Sequence, residues 1–175
     1  MMRFSSMLLG AALALWVVGP ASGAATRGTQ VWLSGSDVHG KRFDLSSLRG
    51  QVVAVTFTSR YTQGEAHKIN KALSTRAGSS FAIVTVVDLI GVPSLFHGYA
   101  KRRIADEEQR GPVHHLLDED GHIRQSFDAQ PDRHVDIVVV DKDGSLRGRF
   151  RGVQHLGEAE ALIDELCGTA VSTRR

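Results

Sequence analysis

Two periods of hydrophobic and polar positions run along this chain, and they divide it into elements. The runs VVAVTFT (52–58) and FAIVTVV (81–87) are short, continuous and β-branched, which suits strands buried on both faces of a sheet. Between them Ala66, Ile69 and Leu73, with Ala72 beside them, recur at the spacing that puts side chains on one face of a helix. A helix from Gln63 to Ala77, ended by Gly78, is predicted there. Strand, helix and strand at this spacing imply a right-handed parallel crossover.

Upstream, the apolar Val31, Trp32 and Leu33 and the turn-rich stretch from Gly35 to Gly40 predict an early hairpin or extended arm. Downstream, Leu95, Phe96, Tyr99 and Ile104 give a looser helical stripe that reaches Glu108 and stops at Gly111-Pro112. VHHLL (113–117) and IVVV (137–140) read as further strands. Each is followed by Asp-x-Asp-Gly, at Asp118 to Gly121 and Asp141 to Gly144, a hairpin turn signal. The last strand is expected from Ser145 to Arg151. The last helix runs from Leu156 to Cys167 with Leu156, Ala159, Leu162, Ile163 and Leu166 inward. The order β, β-α-β-α, β-β-α predicts one α/β domain over residues 28–168, with 169–175 as a tail.

The segment before that domain follows another logic. Arg3 precedes an uncharged run from Met7 to Val18, and Pro20, Ala21, Ser22, Gly23 and Ala24 supply small residues for cleavage. Residues 1–24 are therefore expected to be a secretory signal peptide, removed between Gly23 and Ala25. As a helix the apolar run spans about 18 Å against a hydrocarbon core of about 30 Å, so no permanent membrane span is expected. The absence of a cysteine after it argues against a lipid anchor. The product is expected to be soluble and either periplasmic or secreted. The remaining length of about 150 residues suffices to bury roughly 70% of the unfolded surface without a disulfide.

Composition narrows the chemistry. Lys plus Arg number 21 against 19 Asp plus Glu, with signs interspersed, so a nucleic-acid binder is not expected. The single cysteine, Cys167, leaves no intramolecular disulfide, CxxC pair or multi-thiolate zinc site. It stands four residues after Ile163, beside the buried stripe of the last helix, where a packed, inert thiol is expected. The other reading is an intermolecular disulfide.

The stretch from Asp37, DVHGKRFDLSSLRGQVVAVTF, with LLDEDGHIRQSFDA and VVVDKDG further on, resembles the thioredoxin-like superfamily, in the version shared by thiol-disulfide exchange proteins and peroxiredoxins. The likeness covers nearly all of the chain after residue 28. It implies a three-layer sandwich with a central mixed β-sheet flanked by helices. RYTQGE from Arg60, DLIGVP from Asp88 and IVVVDKDG are most similar to the YtfJ-type family of small exported proteins.

The departures bear on function. Redox members carry WCxxC at the junction of the first core strand and its helix, where the helix start favours thiolate. Here Thr62 and Glu65 stand in the two cysteine positions. Thr62-Gln63-Gly64-Glu65 also fits a capping box, in which hydroxyl and carboxylate satisfy each other's free amides. Where the superfamily places a cis-proline, this chain has Val135, between His134 and Asp136, and a trans bond is expected. The resemblance brings these two places together, so Arg60, Tyr61, Thr62, Glu65, His134 and Val135 become the candidate binding surface. No catalytic residue, metal or cofactor is assigned.

Other charged groups have plainer readings. The eight histidines (39, 67, 97, 114, 115, 122, 134 and 155) bring to mind copper chaperones of the Sco type, but the soft CxxxC ligands are missing. His114 and His115 point to opposite faces of a strand, and scattered surface histidines are expected. The Asp-x-Asp-Gly turns lack the other ligands of a calcium loop. Arg147, Arg149 and Arg151 share one face of the last strand, as on a charge-protected edge or an anion contact that Lys101, Arg102 and Arg103 extend. Arg60 beside the helix start is a further anion candidate. The expected function is an exported, redox-inactive binding or interaction protein whose partner is a protein or a small anionic ligand. A redoxin-type oxidoreductase or peroxidase and a histidine-based metal carrier are the alternatives; the missing cysteines argue against an enzyme.

Overall fold

A computed structural model describes residues 28–108 and 111–168. The expected signal peptide and tail lie outside the described residues. Seven strands form one sheet: β1 (Ser34–Asp37), β2 (Arg42–Asp44), β3 (Val52–Thr58), β4 (Phe81–Asp88), β5 (Val113–Asp118), β6 (Asp136–Val140) and β7 (Leu146–Arg151). Their order is β2-β1-β5-β4-β3-β6-β7, with β3, β4 and β5 parallel and the remaining pairings antiparallel. The four helices are α1 (Gln63–Ser74), α2 (His97–Glu108), α3 (His122–Ser126) and α4 (Leu156–Cys167).

The continuous apolar runs occupy the middle of the sheet, and every residue of β3, β4 and β6 is buried. Alternation then sends each run to two cores. Val52, Ala54, Phe81, Ile83, Ile137 and Val139 pack against Ala66, Ile69 and Leu73 of α1 and Ala159 and Ile163 of α4. On the opposite face Val53, Val55, Phe57, Val84 and Val86 meet Leu33, Leu45, Ile123 of α3 and Phe127 just after it. The sheet is thus sandwiched between helical layers, as expected.

Three expectations need correction. Helix α1 ends at Ser74, three residues early, because the chain must turn so that Gly78 can bridge to Phe81. The first Asp-x-Asp-Gly is not a hairpin turn. Asp118, fully buried, accepts the amides of Ile123 (3.2 Å) and Arg124 (2.8 Å), so the chain coils into α3. Gly121 takes φ +78 at the start of that helix, and an added Cβ would lie 2.3 Å from Ile90. The second does turn β6 into β7, with Gly144 at φ +86. Finally, His115 is buried, 5% exposed, and is not a surface histidine.

Candidate functional site

Helix α1 starts directly after β3, so Arg60, Tyr61, Thr62 and Glu65 gather at one end of the parallel strands. The loop before β6 approaches the same end, and polar side chains tie the two together. The Ser59 and Thr62 hydroxyls both donate to the Pro131 carbonyl, at 3.0 and 2.9 Å. Thr62 Oγ1 also accepts the Ser59 amide at 3.0 Å and lies 3.2 Å from Thr58 Oγ1. The Glu65 carboxylate accepts the Val135 amide at 2.7 Å and the Val153 amide at 2.9 Å, and stands 3.7 Å from His134 Nδ1.

The capping box is therefore absent: Thr62 makes no side-chain cap to its own helix. The helix-end amides can turn to water, whereas the Pro131 carbonyl and Val135 amide come from buried residues and need partners. The sequence motif is real, but tertiary neighbours use it. No peptide bond among the described residues is cis.

Only part of the candidate surface is open. Thr62 and Val135 are buried and Glu65 is engaged, so Arg60, Tyr61 and His134 are the side chains presented. Tyr61 is 66% exposed, and the Arg60 guanidinium stacks 4.5 Å from its ring centroid. Arg60 also donates to the Gly91 carbonyl at 3.2 Å and hydrogen-bonds the Tyr61 hydroxyl. It points along the surface, not onto the helix amides.

The three arginines of β7 have three separate partners on an edge strand. Arg147 pairs with Asp141 at 3.0 Å, Arg149 donates to the Asp128 carbonyl at 3.2 Å, and Arg151 pairs with the buried Asp136 at 2.7 Å. They do not form a free anion-binding stripe. Cys167 packs beside the α1/α4 core with its thiol toward the Ser80 carbonyl, and burial pushes its pKa up.

Two clusters were missed in the sequence. Asp118, Asp120 and His122 bring ligand atoms within 4.8 Å of one another. The two Asp118 oxygens are already engaged by backbone amides, and His122 Nδ1 bonds Asp120 at 2.5 Å, which raises the His122 pKa. The second lies across the parallel strands. Thr56 pairs in register with Thr85, and Thr85 with His115, so three polar residues form a row across the α1 side of the sheet. Thr56 Oγ1 is 2.8 Å from Thr85 Oγ1, Asn70 of α1 donates to Thr85 at 2.9 Å, and Asn70 Oδ1 is 3.3 Å from Thr56. His115 Nδ1 makes no well-formed hydrogen bond among the described residues. The signal was present: each core run carries a threonine at its fifth position.

The same architecture recurs in solved structures. The exposed lipoprotein thioredoxin Etrx1 of Streptococcus pneumoniae aligns with TM-score 0.63 at 17% identity, over 78% of this chain and 100% of that one. The thioredoxin domain of a thiol-disulfide oxidoreductase from Bacteroides vulgatus gives 0.57 and 18%, over 78% and 97%. BsSco, of the Sco family of cytochrome c oxidase assembly proteins, gives 0.58 and 13%, over 82% and 96%. The chain has the thioredoxin-like α/β fold. No family model matches it, and no curated protein does. Identities this low speak for the fold alone, and activity has to be read from the residues. No helix among the described residues is long and apolar enough to cross a membrane.

Proposed function

We propose that this chain is an exported binding protein of the YtfJ type, which keeps the thioredoxin-like scaffold without its thiol chemistry. The observation that carries this reading is Thr62. At the place of the nucleophilic cysteine stands a buried hydroxyl held by Ser59 and Pro131, and the chain's single cysteine lies at the far end of α4. A hydroxyl so held can position the Pro131 loop, and it cannot exchange disulfides.

What remains for recognition at this end is Arg60, Tyr61 and His134, with Thr62, Glu65 and Val135 fixing the backbone beneath them. Arginine and tyrosine are favoured at the centres of interfaces. Their guanidinium, phenol and imidazole suit an acidic or carboxylate-bearing partner. The periplasm or the extracellular space is the compartment this reading assigns, from the leader-like residues 1–24.

Two measurements test it. The purified protein is expected not to accelerate insulin reduction by dithiothreitol, and Cys167→Ser is expected to change nothing. Turnover that disappears in that variant would return the chain to the oxidoreductases. Intact mass of protein from the periplasmic fraction is expected to correspond to a start near Gly23 to Ala25, and a chain still beginning at Met1 or Met2 would remove the export reading.

A further inference from the structure

Helix α2 buries none of its residues, whereas α1 buries Ala66, Ile69 and Leu73. The two helices therefore leave a groove between them of about 800 Å³, within the range of roughly 300–1,000 Å³ typical of small-molecule sites. Its apolar lining includes Val87, Leu89, Val92, Phe96 and Ile104. Its polar lining includes Asn70, Thr85 and His115, and in this group Asn70 and Thr85 are already hydrogen-bonded to each other.

His115 is the exception. It is 5% exposed, it lines the groove, and its enclosed Nδ1 makes no well-formed hydrogen bond among the described residues, with only the Val113 backbone beside it. A buried ring nitrogen without a partner costs stability and is rare in native structures. Burial also keeps this imidazole neutral, so one ring nitrogen bears a proton that can be donated. Lys71 of α1 and Arg103 of α2 line the groove without an ion-pair partner among the described residues; Glu107 lines it too, and the Glu108 carboxylate accepts the His115 backbone amide at 3.4 Å. The acid Asp88 is already engaged by Arg124 at 3.1 Å. Strand register fixes the direction, since His115 pairs with Thr85 while Val87 and Leu89 follow toward the strands' C-terminal end.

We propose that this groove binds an amphipathic organic anion, its carboxylate accepting a hydrogen bond from the His115 ring between Lys71 and Arg103, its apolar chain lying along Val87, Leu89, Val92 and Phe96. The site adjoins the Arg60–Tyr61–His134 surface and shares Arg60 with it, but its His115, Lys71 and Arg103 belong to the groove alone, and ligand binding here is measured without reference to thiol chemistry.

The test is fluorescence titration of the protein with 1-anilinonaphthalene-8-sulfonate, followed by competition with decanoate and with decyltrimethylammonium. Saturable one-site binding is expected, with decanoate displacing the dye about tenfold better than the cation of equal chain length. His115→Phe is expected to weaken decanoate by about tenfold, as the loss of one buried hydrogen bond implies. Because that variant alters a buried position, the wild-type His115 ring ¹⁵N signals are followed as well. They are expected to move on adding decanoate, while those of exposed His122 stay in place. The proposal is overturned by equal competition from the cation, by unmoved His115 signals, or by unchanged decanoate affinity in a folded His115→Phe variant.

Discussion

The Glu65 carboxylate accepts the backbone amide of Val135 at 2.7 Å across seventy residues of sequence, and its second oxygen takes the amide of Val153 at 2.9 Å. One side chain on the first turn of α1 thereby anchors both the entry to β6 and the exit from β7. Glu65 is a structural clamp.

Glu65→Ala leaves the buried Val135 amide without its acceptor, and a loss of about 1–3 kcal/mol is expected by urea denaturation. Glu65→Gln keeps one acceptor oxygen and should lose less. Hydrogen exchange at Val135 is expected to speed up in the alanine variant. An unchanged rate there would show that the clamp does not hold the loop.

Thr62→Val is nearly isosteric but deletes the hydroxyl shared by Ser59 and Pro131, so it is expected to cost about 1–3 kcal/mol. Thr62→Ser retains both hydrogen bonds and should stay closer to wild type. Equal stability of the valine and serine variants would contradict the role given to the hydroxyl.

Asp136 is wholly buried, and its carboxylate rests on Arg151 Nε at 2.7 Å and the Gln130 amide at 2.6 Å. Arg151 is half-exposed and the Gln130 amide remains, so Arg151→Ala is expected to destabilise by about 1–3 kcal/mol, the cost of leaving a buried acceptor short of a partner. Arg149→Ala, which loses a contact to a carbonyl at the surface, should stay within about 1 kcal/mol. Thermal or chemical denaturation of the two variants separates these outcomes.

His115 gives a pH signature. Burial, with a smaller contribution from His114, lowers its pKa from 6.5 to about 4. Between those values the unfolded chain binds a proton that the native imidazole does not, so stability is complete above pH 6.5 and is lost as pH falls toward 4. A loss of about 3 kcal/mol from this group is expected over that window. His122 shifts the other way, which is why the comparison must be with His115→Phe. That variant should show a shallower fall, and parallel curves would place the titration elsewhere.

Much of the fold was legible because burial imposes a period that needs no knowledge of partners. VVAVTFT became β3, FAIVTVVD became β4, and the stripe from Leu156 to Cys167 became α4 with its expected bounds. That the junction of β3 and α1 carries Thr62 and Glu65 and no cysteine was equally visible in residue identities. Which groups those side chains bind was not. A hydroxyl and a carboxylate three residues apart suit a local cap, and only folding offered them the Pro131 carbonyl and the Val135 and Val153 amides, which are far in sequence and costly to leave unpaired. The same holds for the first Asp-x-Asp-Gly, where the buried Asp118 recruits amides into a helix, and for Thr56, Thr85 and His115, three isolated polar residues until strand register aligns them. Hydrophobic periodicity is a property of each segment by itself. Hydrogen-bond partnership is decided between segments, and so it appears only in the tertiary structure.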